Sequence, residues 1–186
     1  MLSFVPLRAK SSIAYLAAVQ VNGGAEAEKV LKVTADSAET VFESSVSCIG
    51  ASTCQVGVRD SQALLHACVD AVKEAGIPDG ALPQIHISGC PSSCGTHQIG
   101  KIGFRGGMKR VDGKPASAFV MVVSGCETQG KEVLADEVGA ILETEIPLFL
   151  VKLGKAVAES GMDYDSWIAV NRSKFDEIAA EYLAEK

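Results

Sequence analysis

Four of the six cysteines in this 186-residue chain fall in two close pairs, and each pair follows a strand-like run at a cluster of turn formers. Cys48 and Cys54 enclose "IGAST"; Cys90 and Cys94 enclose "PSS". Residues 41–47, "VFESSVS", can form a short strand that delivers Cys48 to a loop. In "LPQIHIS" the alternation of Ile85 and Ile87 with polar neighbours predicts a second strand, ending at Gly89-Cys90-Pro91. Two thiol pairs at the ends of sheet strands can converge on one sheet edge, where four thiolates make a metal site.

Spacing and surroundings bear on which metal. Structural zinc usually sits on knuckles whose paired cysteines stand about two to four residues apart, and the five-residue gap after Cys48 is wide for that. Iron-sulfur clusters accept more irregular gaps, because each thiolate meets a different iron. Gly50, Ala51, Ser52, Ser92, Ser93 and Gly95 are small enough to let backbone amides approach cluster sulfurs. Iron-sulfur is therefore favoured, with a structural zinc domain as the alternative.

Six cysteines also raise the question of a secreted disulfide scaffold. At 186 residues and 47% hydrophobic composition the chain can bury a core without staples, so reduced thiols kept for metal in a cytoplasmic protein are expected. Seventeen Lys and Arg against 23 Asp and Glu leave a net charge of -6, which argues against nucleic acid as a partner. Apolar runs such as "SAFVMVVSG" fall short of the ~20 residues needed to span a bilayer, so no membrane association is expected. The N-terminal "MLSFVPLRAKSSIAYLAAV" reads as mature sequence, lacking a clear cleavage site.

Leu64, Cys68 and Val72 recur every four residues, with Leu65 and Val69 beside them, predicting a helix over about 53–75 that ends at Gly76. Pro91 suits the first position of a short helix, placing the second thiol pair on a strand-to-helix turn. "KIGFRGG" and "ASAFVMVVSG" read as strands joined by the turn-rich "GGMKRVDGKP". "EVLADEVGAIL", "IPLFLVKLGKAVAES" and "RSKFDEIAAEYLAEK" read as helices, and residues 11–21 as a strand before a helix-prone segment. The expected fold is α/β (α+β), a mixed sheet covered by helices, with a candidate boundary near residue 40.

The two cysteine motifs in this order resemble a known family. "SCIGASTCQVGVRDSQALLHA" and "IHISGCPSSCGTHQIGKIGFRGG" look like the cluster and siroheme signature of the nitrite and sulfite reductases, over roughly residues 41–126. The resemblance implies a nitrite/sulfite reductase 4Fe-4S half-domain in which Cys48, Cys54, Cys90 and Cys94 bind a [4Fe-4S] cluster. It implies too that Cys94 is the axial ligand of the siroheme iron, bridging it to the cluster. The activity implied is six-electron reduction of nitrite to ammonia or sulfite to sulfide, with a donor such as ferredoxin and this chain as the cluster-binding portion. Residues 1–40 would be the remnant of a preceding ferredoxin-like repeat or a linker, and residues 41–186 the cofactor-binding domain with its C-terminal helices. A missing N-terminal half or another subunit would complete the site.

Ser92 stands where the family usually carries asparagine after the proline, and Gly125-Cys126 replaces a usual Gly-Gly. A non-catalytic iron-sulfur electron-transfer module lacking siroheme is the second reading. No residue is assigned to catalysis. Arg59, Lys101, Arg105, Lys109 and Arg110 are candidate cations for siroheme carboxylates, each equally readable as surface charge. Cys68 reads as a small buried hydrophobe; Cys126 reads the same way, with a cofactor contact as the alternative. His97 is more simply structural than a proton donor, and His66 and His86 fit a helix and a strand without a special task.

Overall fold

The computed structural model describes residue 38 and residues 40–183, and the latter lie within one compact unit that begins at Thr40. The strand and helix expected before residue 38 lie outside the described residues. A five-stranded sheet runs in the order β1 (Val46–Ser47), β2 (Ile85–Ser88), β3 (Ile102–Val111), β4 (Lys114–Val123) and β5 (Asp136–Leu142). β1, β2 and β3 are parallel, while β3–β4 and β4–β5 are antiparallel. The fold is the expected mixed α/β sheet with helices.

The helix α1 (Ser61–Glu74) connects β1 to β2. Leu64, Cys68 and Val72 are its buried stripe, as their spacing predicts. It begins eight residues later than expected, because the Asp60 carboxylate caps it by accepting the Ala63 N–H. Residues 51–59 are instead closed into a loop by Ala51 N–H to Arg59 O and Cys54 N–H to Gly50 O. A second departure lies in 41–47, where a 3-10 turn over Phe42–Ser44 leaves only two residues of strand.

All four residues of β2 are buried. Ile85 and Ile87 face the main core with their register partners Ile102 and Phe104. His86 and Ser88 point to the other face, as strand alternation requires. That face is covered by the loop 89–101, which crosses to β3 carrying a 3-10 turn over His97–Ile99. No helix starts at Pro91. Ser93 (φ 61°) and Thr96 (φ 52°) adopt the left-handed region, which ends any helical run there.

β3 and β4 pair over ten residues each, straight through the stretch expected to be a turn. Asp112 and Gly113, both at positive φ, make the two-residue connection that such a hairpin prefers. The segment expected as a helix over 132–142 holds strand β5 from Asp136 on, where pairing with β4 overrides a Glu- and Ala-rich composition. Gly139 (φ 147°) lies there opposite Met121, at a register shift between Met121 and Val122, a combination an α-helix would not accept.

The other helices are α2 (Ile146–Glu159), α3 (Tyr164–Val170) and α4 (Arg172–Leu183). α2 packs on α1 and α4, with Phe149 edge-on to Phe175 and Tyr182 at 6.0 and 5.8 Å. The short α3, capped by Asp163, buries Tyr164 and Trp167. Together these elements leave the carboxyl ends of β1 and β2 as the place where the cysteine loops emerge.

Candidate metal centre

Cys48 follows β1 directly, and Gly89-Cys90 follows β2. Because the two strands are parallel neighbours, the thiol pairs leave the sheet side by side. Cys48 N–H donates to Ile87 O, continuing the ladder by one bond, and Gly89 N–H then donates to Cys48 Sγ at 3.1 Å. Gly89 O in turn accepts from Val58 and Arg59 N–H at 3.0 and 2.9 Å. The two loops are therefore one hydrogen-bonded unit, tied to β3 where Arg59 Nε donates to Gly107 O.

Burial disfavours ionisation of Cys48, but hydrogen bonds from Ser61 Oγ and from the amides of Gly89 and Gly50 outweigh it and hold the thiol below its ordinary value. Ser61 Oγ lies 3.2 Å from the sulfur and 2.8 Å from Cys48 O. Cys54 is half-buried, Cys90 buried and Cys94 exposed, and all four thiols are free. Among the described residues no three ligating side chains close on one point. What the fold brings together is the loops. The donor set, four free thiols on two touching loops beside backbone amides, suits iron.

Two serines that sequence reasoning passed over, with the two histidines it read as structural, shape this region. Ser61 holds Cys48, and Ser88, with 1% of its surface exposed, accepts the Gly95 N–H and lies 2.9 Å from His97 Nδ1. His86 Nδ1 lies 2.8 Å from Thr96 Oγ1. His97 is thus a satisfied structural residue, and burial, reinforced by Arg105, depresses its pKa. Burial also depresses His86, against the opposing pull of Glu127 at 3.8 Å. The signal available beforehand was the alternation in "IHIS", which puts His86 and Ser88 on one face.

Cys68 is fully buried, and desolvation raises its thiol far above the ordinary range. Cys126 lies at the opposite end of the sheet, beyond the end of β4 that pairs with Ile102, and its backbone pairs with Val133. The amide and hydroxyl of Thr128 and the charge of Lys101 lower its thiol. Of the candidate cations, Lys101 pairs with Asp165 and Arg105 with Glu137. The buried Lys109 donates to the carbonyls of Tyr182 and Leu183 at the end of α4. Arg110 is exposed, as is His66 on α1.

No family model matches the chain. Curated relatives are the sulfite reductase [NADPH] hemoprotein beta-component of Bacillus pumilus (strain SAFR-032), 27% identical over 110 residues, and the ferredoxin–nitrite reductase of Leptolyngbya laminosa, 29% identical over 120. The chain is related to the nitrite and sulfite reductases. These alignments cover 53% and 64% of this chain and 18% and 22% of the relatives. The chain thus spans about a fifth of the length of these relatives. A further relative, the Bacillus subtilis (strain 168) sulfite reductase [NADPH] hemoprotein beta-component, is 32% identical over 66 residues, 34% of this chain and 12% of its own length. Among solved structures the Mycobacterium tuberculosis NirA protein superposes with a TM-score of 0.61 over 81% of this chain and 30% of that one. At 17% identity that likeness is one of fold.

Proposed function

We propose that the chain is the cluster-bearing portion of a nitrite or sulfite reductase, in which Cys48, Cys54, Cys90 and Cys94 would hold a [4Fe-4S] cluster and Cys94 would also bind the iron of siroheme. The observation that carries this reading is the Gly89 N–H to Cys48 Sγ bond, which joins the two cysteine loops at the carboxyl ends of adjacent parallel strands. Relatives of both reductase types support it at the level of the family.

When bound, these groups would supply the single electrons that reduction of nitrite or sulfite consumes. The chain's own residues would do the rest. The Gly89 and Gly50 amides and the Ser61 hydroxyl favour the thiolate form of Cys48, which is the form that binds iron. Val58, Arg59 and Gly89 fix the distance between the loops. Nitrite or sulfite is the substrate in this reading, and a ferredoxin-like protein the donor.

A second reading, an iron-sulfur electron-transfer module without siroheme, is favoured by Ser92. One experiment separates the two. The protein is purified anaerobically, supplied with iron, sulfide and siroheme, and its absorption spectrum recorded with all three quantified. Haem bands that shift on adding nitrite or sulfite, with about four irons per cluster besides the haem iron, support the reductase. Cluster absorbance without haem supports the module, and one zinc without acid-labile sulfide would sink both.

A further inference from the structure

We propose that Ser88 and Thr96, each through the imidazole opposite it, position the loop that carries Cys94; this rests on the reading of the cysteines given above. Ser88 Oγ accepts the Gly95 N–H at 3.1 Å, so its single proton is available for His97 Nδ1 at 2.9 Å. His97 then carries its own proton on Nε2. His86 Nδ1 lies 2.8 Å from Thr96 Oγ1, and its Nε2 lies 3.8 Å from a Glu127 carboxylate oxygen. The His97 tautomer is assigned from its partners.

The two pairs are reciprocal. The strand supplies the hydroxyl and the loop the imidazole in Ser88–His97, while the strand supplies the imidazole and the loop the hydroxyl in His86–Thr96. His86 and Ser88 share one face of β2, so the pairs stand side by side along the strand. Between them Gly95 approaches so closely that a β-carbon there would lie 2.0 Å from Ile87 O.

Cys94 sits between two residues, Ser93 and Thr96, whose left-handed backbone is costly for a side chain bearing a β-carbon. Its thiol is exposed and has a long contact, 3.9 Å, with Ser92 O. The backbone of the loop therefore sets where the sulfur lies, and the paired hydroxyl–imidazole bonds hold that backbone in its strained form. Their role toward a cluster is positional.

Thr96→Val is the deciding variant, because it keeps the β-branched shape and removes only the hydroxyl; Thr96→Ser is the control that restores it. Amide hydrogen exchange of the unloaded proteins is compared over 89–100 and over the β3–β4 hairpin. In parallel, anaerobic samples loaded with iron and sulfide are reduced and their paramagnetic resonance spectra recorded. Thr96→Val is expected to exchange about tenfold faster or more over 89–100 with the hairpin unchanged, and to alter the spectrum. Thr96→Ser should return both to the parent's behaviour.

Wild-type exchange in Thr96→Val would overturn the proposal. So would acceleration that spreads through the hairpin, which marks general destabilisation, or local acceleration with an unaltered spectrum, which reduces the pairs to loop staples. A parent protein that takes up no iron and sulfide removes the reading of the centre instead, and with it the positional role toward a cluster; the exchange data then report only whether the loop is latched.

Discussion

Gly106 of β3 lies against Gly89, so that a β-carbon built at Gly106 would stand 2.1 Å from the Gly89 carbonyl oxygen. That same oxygen accepts the amides of Val58 and Arg59. A side chain at 106 must therefore displace backbone in both cysteine loops, which no rotamer change can avoid. Gly106→Ala is expected to lower stability by about 1–3 kcal/mol, the range for overpacking, and to reduce iron and sulfide uptake. Urea unfolding and metal analysis of the same samples check it. Unchanged uptake with unchanged stability would mean that the loops do not depend on this contact.

Cys68 and Cys94 should separate stability from loading. Cys68 is fully buried on the core stripe of α1, so Cys68→Ser places a hydroxyl in an apolar site and is expected to cost about 1–3 kcal/mol while iron binding persists. Cys94 is exposed, so Cys94→Ser should change stability by less than about 0.5 kcal/mol and abolish normal loading. Denaturant midpoints and bound iron, measured on both variants, decide the pair.

The buried histidines predict the pH dependence of the unloaded protein. Burial lowers both His86 and His97 in the folded state from an ordinary value of 6.5, so the unfolded chain binds more protons below that pH. Their contribution to stability is complete above pH 6.5 and is lost as the pH falls through the folded values. Urea midpoints should fall between pH 7.5 and pH 5, and the fall should be shallower in His97→Asn. A midpoint that rises on acidification would contradict the burial of these rings.

Lys109 gives the C-terminal helix its end. Its ammonium donates to the carbonyls of Tyr182 and Leu183, in the last turn described for the helix. Lys109→Met keeps the apolar stem and removes the donor, and should cost about 1–2 kcal/mol. Faster amide exchange in α4, with α1 unaffected, is the accompanying sign.

Legibility followed the range of the forces involved. The α1 stripe of Leu64, Cys68 and Val72 is a local period, and it could be read directly. The start of that helix could not, because Asp60 caps it and Ala51 bonds Arg59 across a loop. β5 was missed since "DEVGAIL" owes its strand form to β4, a partner that composition does not reveal. The cysteine pairs were visible as spacing, and the strands that deliver them as alternation. Ser61 was invisible, and for Ser88 the alternation in "IHIS" shows the face but not the partner, which tertiary packing chooses.

The parallel pairing of β1 with β2 also orders events in the life of the chain. The β3–β4 hairpin closes over two residues and can zip early, whereas Val46 must find His86 across the whole of α1. Until that distant match is made, the first and second thiol pairs belong to separate stretches of a folding polypeptide. On the proposed ligand set, metal delivery is therefore expected to need chains in which this contact has already formed.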